Sequence, residues 1–212
     1  FLDSDDLWSI NYLKNIVIFT TKNPNVDIVV GKGYIFTNNN LMRPLNNNIE
    51  KIDKKIIFSN SVGSPSGVCI KKYIFKTIGF PTELRMFEDF YLYLYLIKNK
   101  YKFVQINNYY YYRKEGQNTS SVKRQKFNNN QILKFNNLIE GLNLTFEESI
   151  LVDSVLLPYK EKNGYKKLFK FTRLLYLSKI LRIKYFNYIA TLSAFYLYGD
   201  INVINDFKNM EE

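Results

Sequence analysis

Two groups of carboxylates stand out in the 212-residue sequence for what their types and spacing could do. The first is Asp3-Ser4-Asp5-Asp6, within the opening stretch FLDSDDLW. The second is Glu88-Asp89, 84 positions after Asp5. The first group admits three readings. Ser and Asp cap helices and carboxylates favour the positive helix end, so it can be a helix start. A calcium EF-hand loop fails, because Trp8 stands where the loop needs Gly and Lys14 where it needs Glu. The third is an oxygen-ligand site for Mg²⁺ or Mn²⁺ at the end of a strand, where α/β sheets bind ligands. Glu88-Asp89 likewise reads as a helix N-terminus or as a metal ligand and base. Two such groups in a basic chain suggest chemistry on a phosphorylated substrate.

The rest of the composition narrows that chemistry. There is no His, which excludes Ser–His–Asp and Cys–His catalysis and His-ligated metals. Acid–base work near neutral pH therefore falls to Asp, Glu, Lys or Tyr. A single cysteine, Cys69, excludes an internal disulfide framework and a Cys-based zinc site, and fits a reducing compartment. Thirty basic residues against nineteen acidic give a formal charge of +11. Such an excess favours anionic partners without choosing among nucleic acid, membrane and phosphorylated ligands. Abundant Asn, Lys, Ile and Tyr reflect an AT-rich coding bias first.

The elements that must position these residues can be sketched from pattern. Phe1-Leu2 reads as the end of a buried strand, residues 3–6 as a turn, and Leu7 to Ile18 as an amphipathic helix. Residues 26–36 read as strand material with a turn at GKG, 31–33. No GxGxxG or Walker pattern surrounds those glycines. Residues 37–55 read as a surface excursion, and 59–72 as a small-residue loop entering a short strand. Lys71 to Ile78 reads as a helix stopped by Gly79 and Pro81. In 87–102 the Leu92, Leu94, Leu96 alternation predicts a strand, while length, acidic start and basic end predict a helix. Residues 102–113 form a clearer strand, and 114–130 a loop. From about 129 the texture is helical, with a stripe from Leu174 through Leu177, Leu181, Tyr185, Tyr188 and Leu192 to Phe195. The sequence thus divides near 128. The longest apolar run, 185–198, is shorter than the ~20 residues a spanning helix needs.

FLDSDDLW resembles the Asp-x-Asp segment of family 2 glycosyltransferases of the GT-A type. The resemblance continues in order through SPSGVCIKKYIFKTIGFPTELRMFEDFYLYLYLIKNKYKFVQINNYYYYRKEGQNTSS, which is similar to their acceptor-side half. It covers roughly residues 1–121, and it turns the reading of 88–98 from strand to helix. It implies an α/β, Rossmann-like GT-A domain over 1–128, followed by a basic helical region over 129–212. The family's N-terminal strand, its Pro-x-aromatic-Asn turn and its nucleobase-binding Asp precede the Asp-x-Asp and find no match here. The expectation is a partial domain that lacks its nucleotide-binding strands.

The resemblance also assigns roles. Asp5 would ligate Mn²⁺ or Mg²⁺, with Asp3 a second ligand or a ribose contact. Asp89 would be the general base that takes the acceptor hydroxyl's proton in an inverting displacement. Glu88 would orient donor or acceptor sugar. Ser66 and Gly67 match the small-residue loop near the donor sugar. Ser4 and Asp6 join Asp3 in donor binding, and Arg113 or Lys114 adds positive charge for the leaving diphosphate. Trp8 either stacks on a sugar face or packs in the core. Many relatives carry a His after the Tyr-x-x-Arg, and Lys114-Glu115-Gly116-Gln117 has none.

The implied partners are a nucleotide-diphosphate sugar and a glycan or lipid-linked acceptor. The implied setting is the cytoplasm or the inner face of a bacterial membrane, in surface polysaccharide synthesis. Between Pro158 and Lys184 nine basic residues face one acid, Glu161, which suits an anionic membrane surface. A truncated remnant or non-catalytic binding subunit is the alternative. A nucleic-acid module is not expected, since the basic residues are spread out and no RNP, helix-turn-helix or zinc motif appears.

Overall fold

The computed structural model describes residues 1–36, 43–44, 52, 62–113 and 129–160, without the side chains of 35–36, 43–44, 112–113, 129 and 157–160. The chain divides into two compact units, Phe1–Leu142 and Asn143–Glu212. The first is a mixed α/β unit. Its sheet has β1 (Leu7–Trp8), β2 (Ile28–Phe36), β3 (Arg43–Pro44), β4 (Val68–Ile70) and β5 (Phe103–Arg113). Its helices are α1 (Tyr12–Lys22), α2 (Lys72–Ile78), α3 (Glu88–Lys98) and α4 (Asn129–Glu140). Strand order runs β1-β5-β2-β3, with β4 also on β2.

β2 and β5 form the parallel centre, with Ile28 opposite Phe103 and Phe36 opposite Arg113. β4 is antiparallel to β2, and β1 is antiparallel to β5 through Leu7–Tyr111 and Trp8–Tyr110. The β-branched run Ile28-Val29-Val30 is buried, as a central parallel strand requires. On one side Val29, Tyr110, Tyr12, Ile16 and Val26 form a core under α1. Asn108 locks that side. Its Nδ2 donates to the Tyr12 carbonyl at 2.9 Å, and its Oδ1 accepts from Asn15 Nδ2 at 3.2 Å. At the opposite end of the strands, Asp27 accepts from the Lys102 N–H at 3.0 Å and pairs with Lys71 Nζ at 3.3 Å.

Several expectations are corrected here. Leu7 and Trp8 are strand, not helix; helix α1 begins only at Tyr12. A two-residue strand is too short to show a period of two. GKG is not a turn, because Gly31 and Gly33 both lie within β2, Gly31 at a register shift between Val30 and Lys32 and Gly33 opposite Tyr110. Gly31 is required there by close approach: a Cβ would stand 2.7 Å from the Asn108 carbonyl oxygen. Phe1 and Leu2 do not end a buried strand; they are largely exposed, and the Phe1 ring rests on Phe75 and Phe80. Residues 88–98 are helix, so the Leu alternation misleads. Its cause is burial on several faces, since Phe90, Leu92, Tyr93, Leu94 and Leu96 are all inside.

In the second unit the described element is α5 (Phe146–Lys160), which opens on a capping box. The Thr145 N–H donates to Glu148 Oε2 at 2.9 Å, and the Glu148 N–H to Thr145 Oγ1 at 3.2 Å. No described helix is long and apolar enough to cross a membrane. The expected excursion at 37–55, apart from the few residues described there, the loop at 114–128, and the stripe and basic run beyond Lys160 lie outside the described residues.

Candidate functional site

The acidic segment is a turn, closed by the Asp6 N–H donating to the Asp3 carbonyl at 3.1 Å. It leads into β1, not into a helix. The helix-cap reading of Asp3–Asp6 is therefore excluded: α1 starts six positions after Asp6, with Asn11 at its cap. Asp3, Ser4 and Asp5 are exposed, whereas Asp6 is buried.

A second short segment holds this turn. Residues Pro65–Gly67 form a single 3-10 turn, begun by Ser64. Ser66 Oγ accepts the Asp3 N–H at 3.0 Å, and the Ser66 carbonyl accepts Trp8 Nε1–H at 2.7 Å. Ser64 Oγ donates to Asp6 Oδ2 at 3.3 Å, and the Ser64 N–H donates to the Tyr110 hydroxyl at 3.3 Å. Gly67 is buried against the Tyr110 ring, where a Cβ would meet the ring carbon at 2.1 Å. Only Gly fits. Trp8 stacks on Tyr12, with centroids 4.9 Å apart and planes at 11°. The ring is half-buried, so packing accounts for at least one of its faces.

Glu88 and Asp89 occupy the first turn of α3, where carboxylates complement the helix dipole. The residue before them, Phe87, has φ 65°, a left-handed conformation costing roughly 1–2 kcal/mol in a non-glycine residue. Aromatic packing holds it there. Phe87 meets Phe90 and Phe135 edge-on, and Phe90 stacks on Phe135 from α4 at 5.7 Å. The Phe90 N–H donates to Asp89 Oδ1 at 2.7 Å.

The fold brings the two acidic groups within electrostatic reach of each other. The Asp3 carboxyl is raised above the ordinary value by loss of solvent, then by the charges of Asp6, Asp5 and Glu88. Asp89 is pushed up to about 6, chiefly by burial, with the Phe90 N–H opposing and Glu88 and Asp3 adding to it. Tyr93, one turn along α3 from Asp89, is fully buried, and its phenol is held well above its usual range by burial and then by the Asp89 charge.

Asp3, Asp5, Asp6, Trp8, Ser66 and Gly67 thus belong to one assembly, Glu88 and Asp89 to the helix end whose charges it feels, and Ser4 to the exposed part of the turn. Arg113 ends β5, and its side chain lies outside the described residues. Ser64, Tyr93, Asn108 and Tyr110 carry structural weight that sequence reading missed. The available signal was the alternation along β5, whose even-numbered residues from Val104 to Tyr110 face α1.

Among the described residues no group of three carboxylates or cysteines gathers closely enough to cage a metal. The donor chemistry nevertheless fits a hard cation. Asp3 and Asp5 are exposed oxygen donors in one turn, with the Asp6 and Glu88 carboxylates adding negative charge nearby. Mg²⁺ takes one or two carboxylates and fills its shell with water and substrate phosphate. No protein-family model matches the chain, and no curated protein matches it.

Proposed function

We propose that the chain carries the metal- and acceptor-side residues of an inverting GT-A glycosyltransferase of family 2. It would move a sugar from a nucleotide-diphosphate donor to a glycan or lipid-linked acceptor, in surface polysaccharide synthesis on the cytoplasmic side of a membrane. One feature supports this reading most: at the start of α3, burial pushes the Asp89 carboxyl up to about 6, with the charges of Glu88 and, last, Asp3 adding to it. A carboxylate displaced toward neutral pH by burial, beside a second carboxylate, is the kind of group that serves as a general base.

In this reading Asp89, ionised above about 6, accepts the proton of the acceptor hydroxyl. The acceptor oxygen then bonds to the anomeric carbon as the bond to the diphosphate oxygen breaks on the opposite face. The nucleoside diphosphate leaves with that electron pair, and the anomeric centre inverts. Glu88 orients the sugar hydroxyls beside Asp89. A Mn²⁺ or Mg²⁺ ion held by Asp5 and Asp3 would neutralise charge on the departing diphosphate.

The test is transfer from a panel of nucleotide sugars with Mn²⁺ present. Asp89→Asn is expected to abolish turnover and leave nucleotide-sugar binding within about twofold, since the amide cannot take the proton but keeps its shape. Undiminished turnover overturns the assignment.

A further inference from the structure

The resemblance places Ser66 beside the donor sugar, and its hydroxyl and carbonyl oxygens also make two hydrogen bonds within the fold. It is almost fully buried, at 1% exposure, in a turn bounded by Pro65 and Gly67. Its hydroxyl accepts the Asp3 N–H and its carbonyl accepts the Trp8 indole N–H, across 63 and 58 positions of sequence. These two donors bracket the acidic turn on its two sides. Asp3, Asp5 and Asp6 place three carboxylates within four residues, and like charges that close repel one another. A turn closed by one backbone hydrogen bond would spread under such a load unless both ends were tied. Both ends are tied, and to the same residue.

We infer that Ser66 is the positioning residue of the acidic turn: it fixes the Asp3 backbone through its hydroxyl and Trp8 through its carbonyl, and so holds in one turn the two carboxylates, Asp3 and Asp5, on which cation binding would depend. The inference rests on the glycosyltransferase reading for its cation, not for its hydrogen bonds. Ser64 adds a third tie through Asp6, and the Tyr110 ring wedged on Gly67 keeps the Ser64–Gly67 segment from retreating.

The experiment uses amide-resolved NMR of the chain, with Ser66→Ala and Asp5→Asn as variants and MnCl₂ as the probe. Ser66→Ala removes the hydroxyl and keeps the carbonyl. The Trp8 indole N–H resonance should stay in place, which shows the variant folded. The Asp3 amide should exchange about tenfold faster, the loss expected for one hydrogen bond. Paramagnetic broadening of residues 3–6 should then need roughly tenfold more Mn²⁺. Ser66→Thr, which restores the hydroxyl, should recover both. An Asp3 amide equally protected in Ser66→Ala overturns the inference, as does an unchanged Mn²⁺ midpoint with that amide released. If wild type and Asp5→Asn broaden alike while Ser66→Ala still frees the amide, the metal reading falls and the hydrogen-bond clamp stands.

Discussion

At Asp89 two effects oppose each other: burial disfavours the carboxylate, and the Phe90 N–H at 2.7 Å favours it. Burial wins, and the displacement has a sign that can be followed into both activity and stability. The folded carboxyl keeps its proton up to about 6, while the unfolded chain releases it near the ordinary 3.8. Between those values the folded state binds more protons, so stability falls as pH rises from about 4 to about 6, then levels. In the proposed reading Asp89 is the general base and must be ionised, so transfer should drop about tenfold per pH unit below about 6. Asp89→Asn should therefore separate the two roles. It should lose turnover but gain stability near neutral pH, because a neutral amide escapes the cost of ionising a half-buried carboxyl. At pH 4 that gain should largely vanish. Urea unfolding of both proteins at the two pH values checks it, and equal stability at neutral pH would show that Asp89 is solvated.

Among the elements, the short turn Pro65–Gly67 does the most for the site, and its glycine can be tested against another. Gly67 has a ring carbon of Tyr110 where a Cβ would go, at 2.1 Å, whereas a Cβ at Gly79 would meet only the Phe75 carbonyl oxygen, at 4.0 Å, but the residue has φ 63°. The first is a steric problem inside a core, the second a backbone one at a helix end. Gly67→Ala should cost about 3 kcal/mol, because Tyr110 is buried on β5 and cannot move aside. It should also shift the emission of Trp8, the single Trp in the chain and bonded to the neighbouring Ser66. Gly79→Ala should cost only about 1 kcal/mol and leave that emission unchanged. Denaturation followed by Trp8 fluorescence reads both. The same contrast explains what sequence could show. β2, α2 and β5 were legible because each carries its own signal: a β-branched run, a glycine stop, a long alternating strand. The acidic groups were legible as chemistry, since Asp and Glu declare their type. The clamp was not, because Ser66 acquires its meaning only from partners 58 and 63 positions away. Strand β1 was lost for a related reason: two residues hold no period, and only pairing with Tyr110 and Tyr111 makes them a strand.

For the whole molecule the question is how a carboxylate site sits on a chain of net charge +11. An excess of that size draws phosphorylated donors toward the protein, and it also draws any other polyanion. The two possibilities differ in how they respond to salt and to competitors. We propose that the acceptor is met at an anionic membrane surface, so the protein should co-sediment with vesicles of phosphatidylglycerol and phosphatidylcholine but not with phosphatidylcholine alone. Raising ionic strength from about 0.1 M to about 1 M shortens the screening length from about 10 Å to about 3 Å. Contacts held by charge alone would be lost over that range, whereas apolar side chains inserted among the lipids would hold a fraction of the protein on the vesicles. Duplex DNA supplies the control, because phosphate contacts to it carry a steep salt slope whatever its sequence. If DNA strips the protein from the vesicles completely and binds with the steeper slope, the positive charge serves nucleic acid and the membrane setting falls. If a fraction stays with the vesicles at high salt and resists DNA, the charge and an apolar contact act together on lipid, as an enzyme extending a lipid-linked glycan would need.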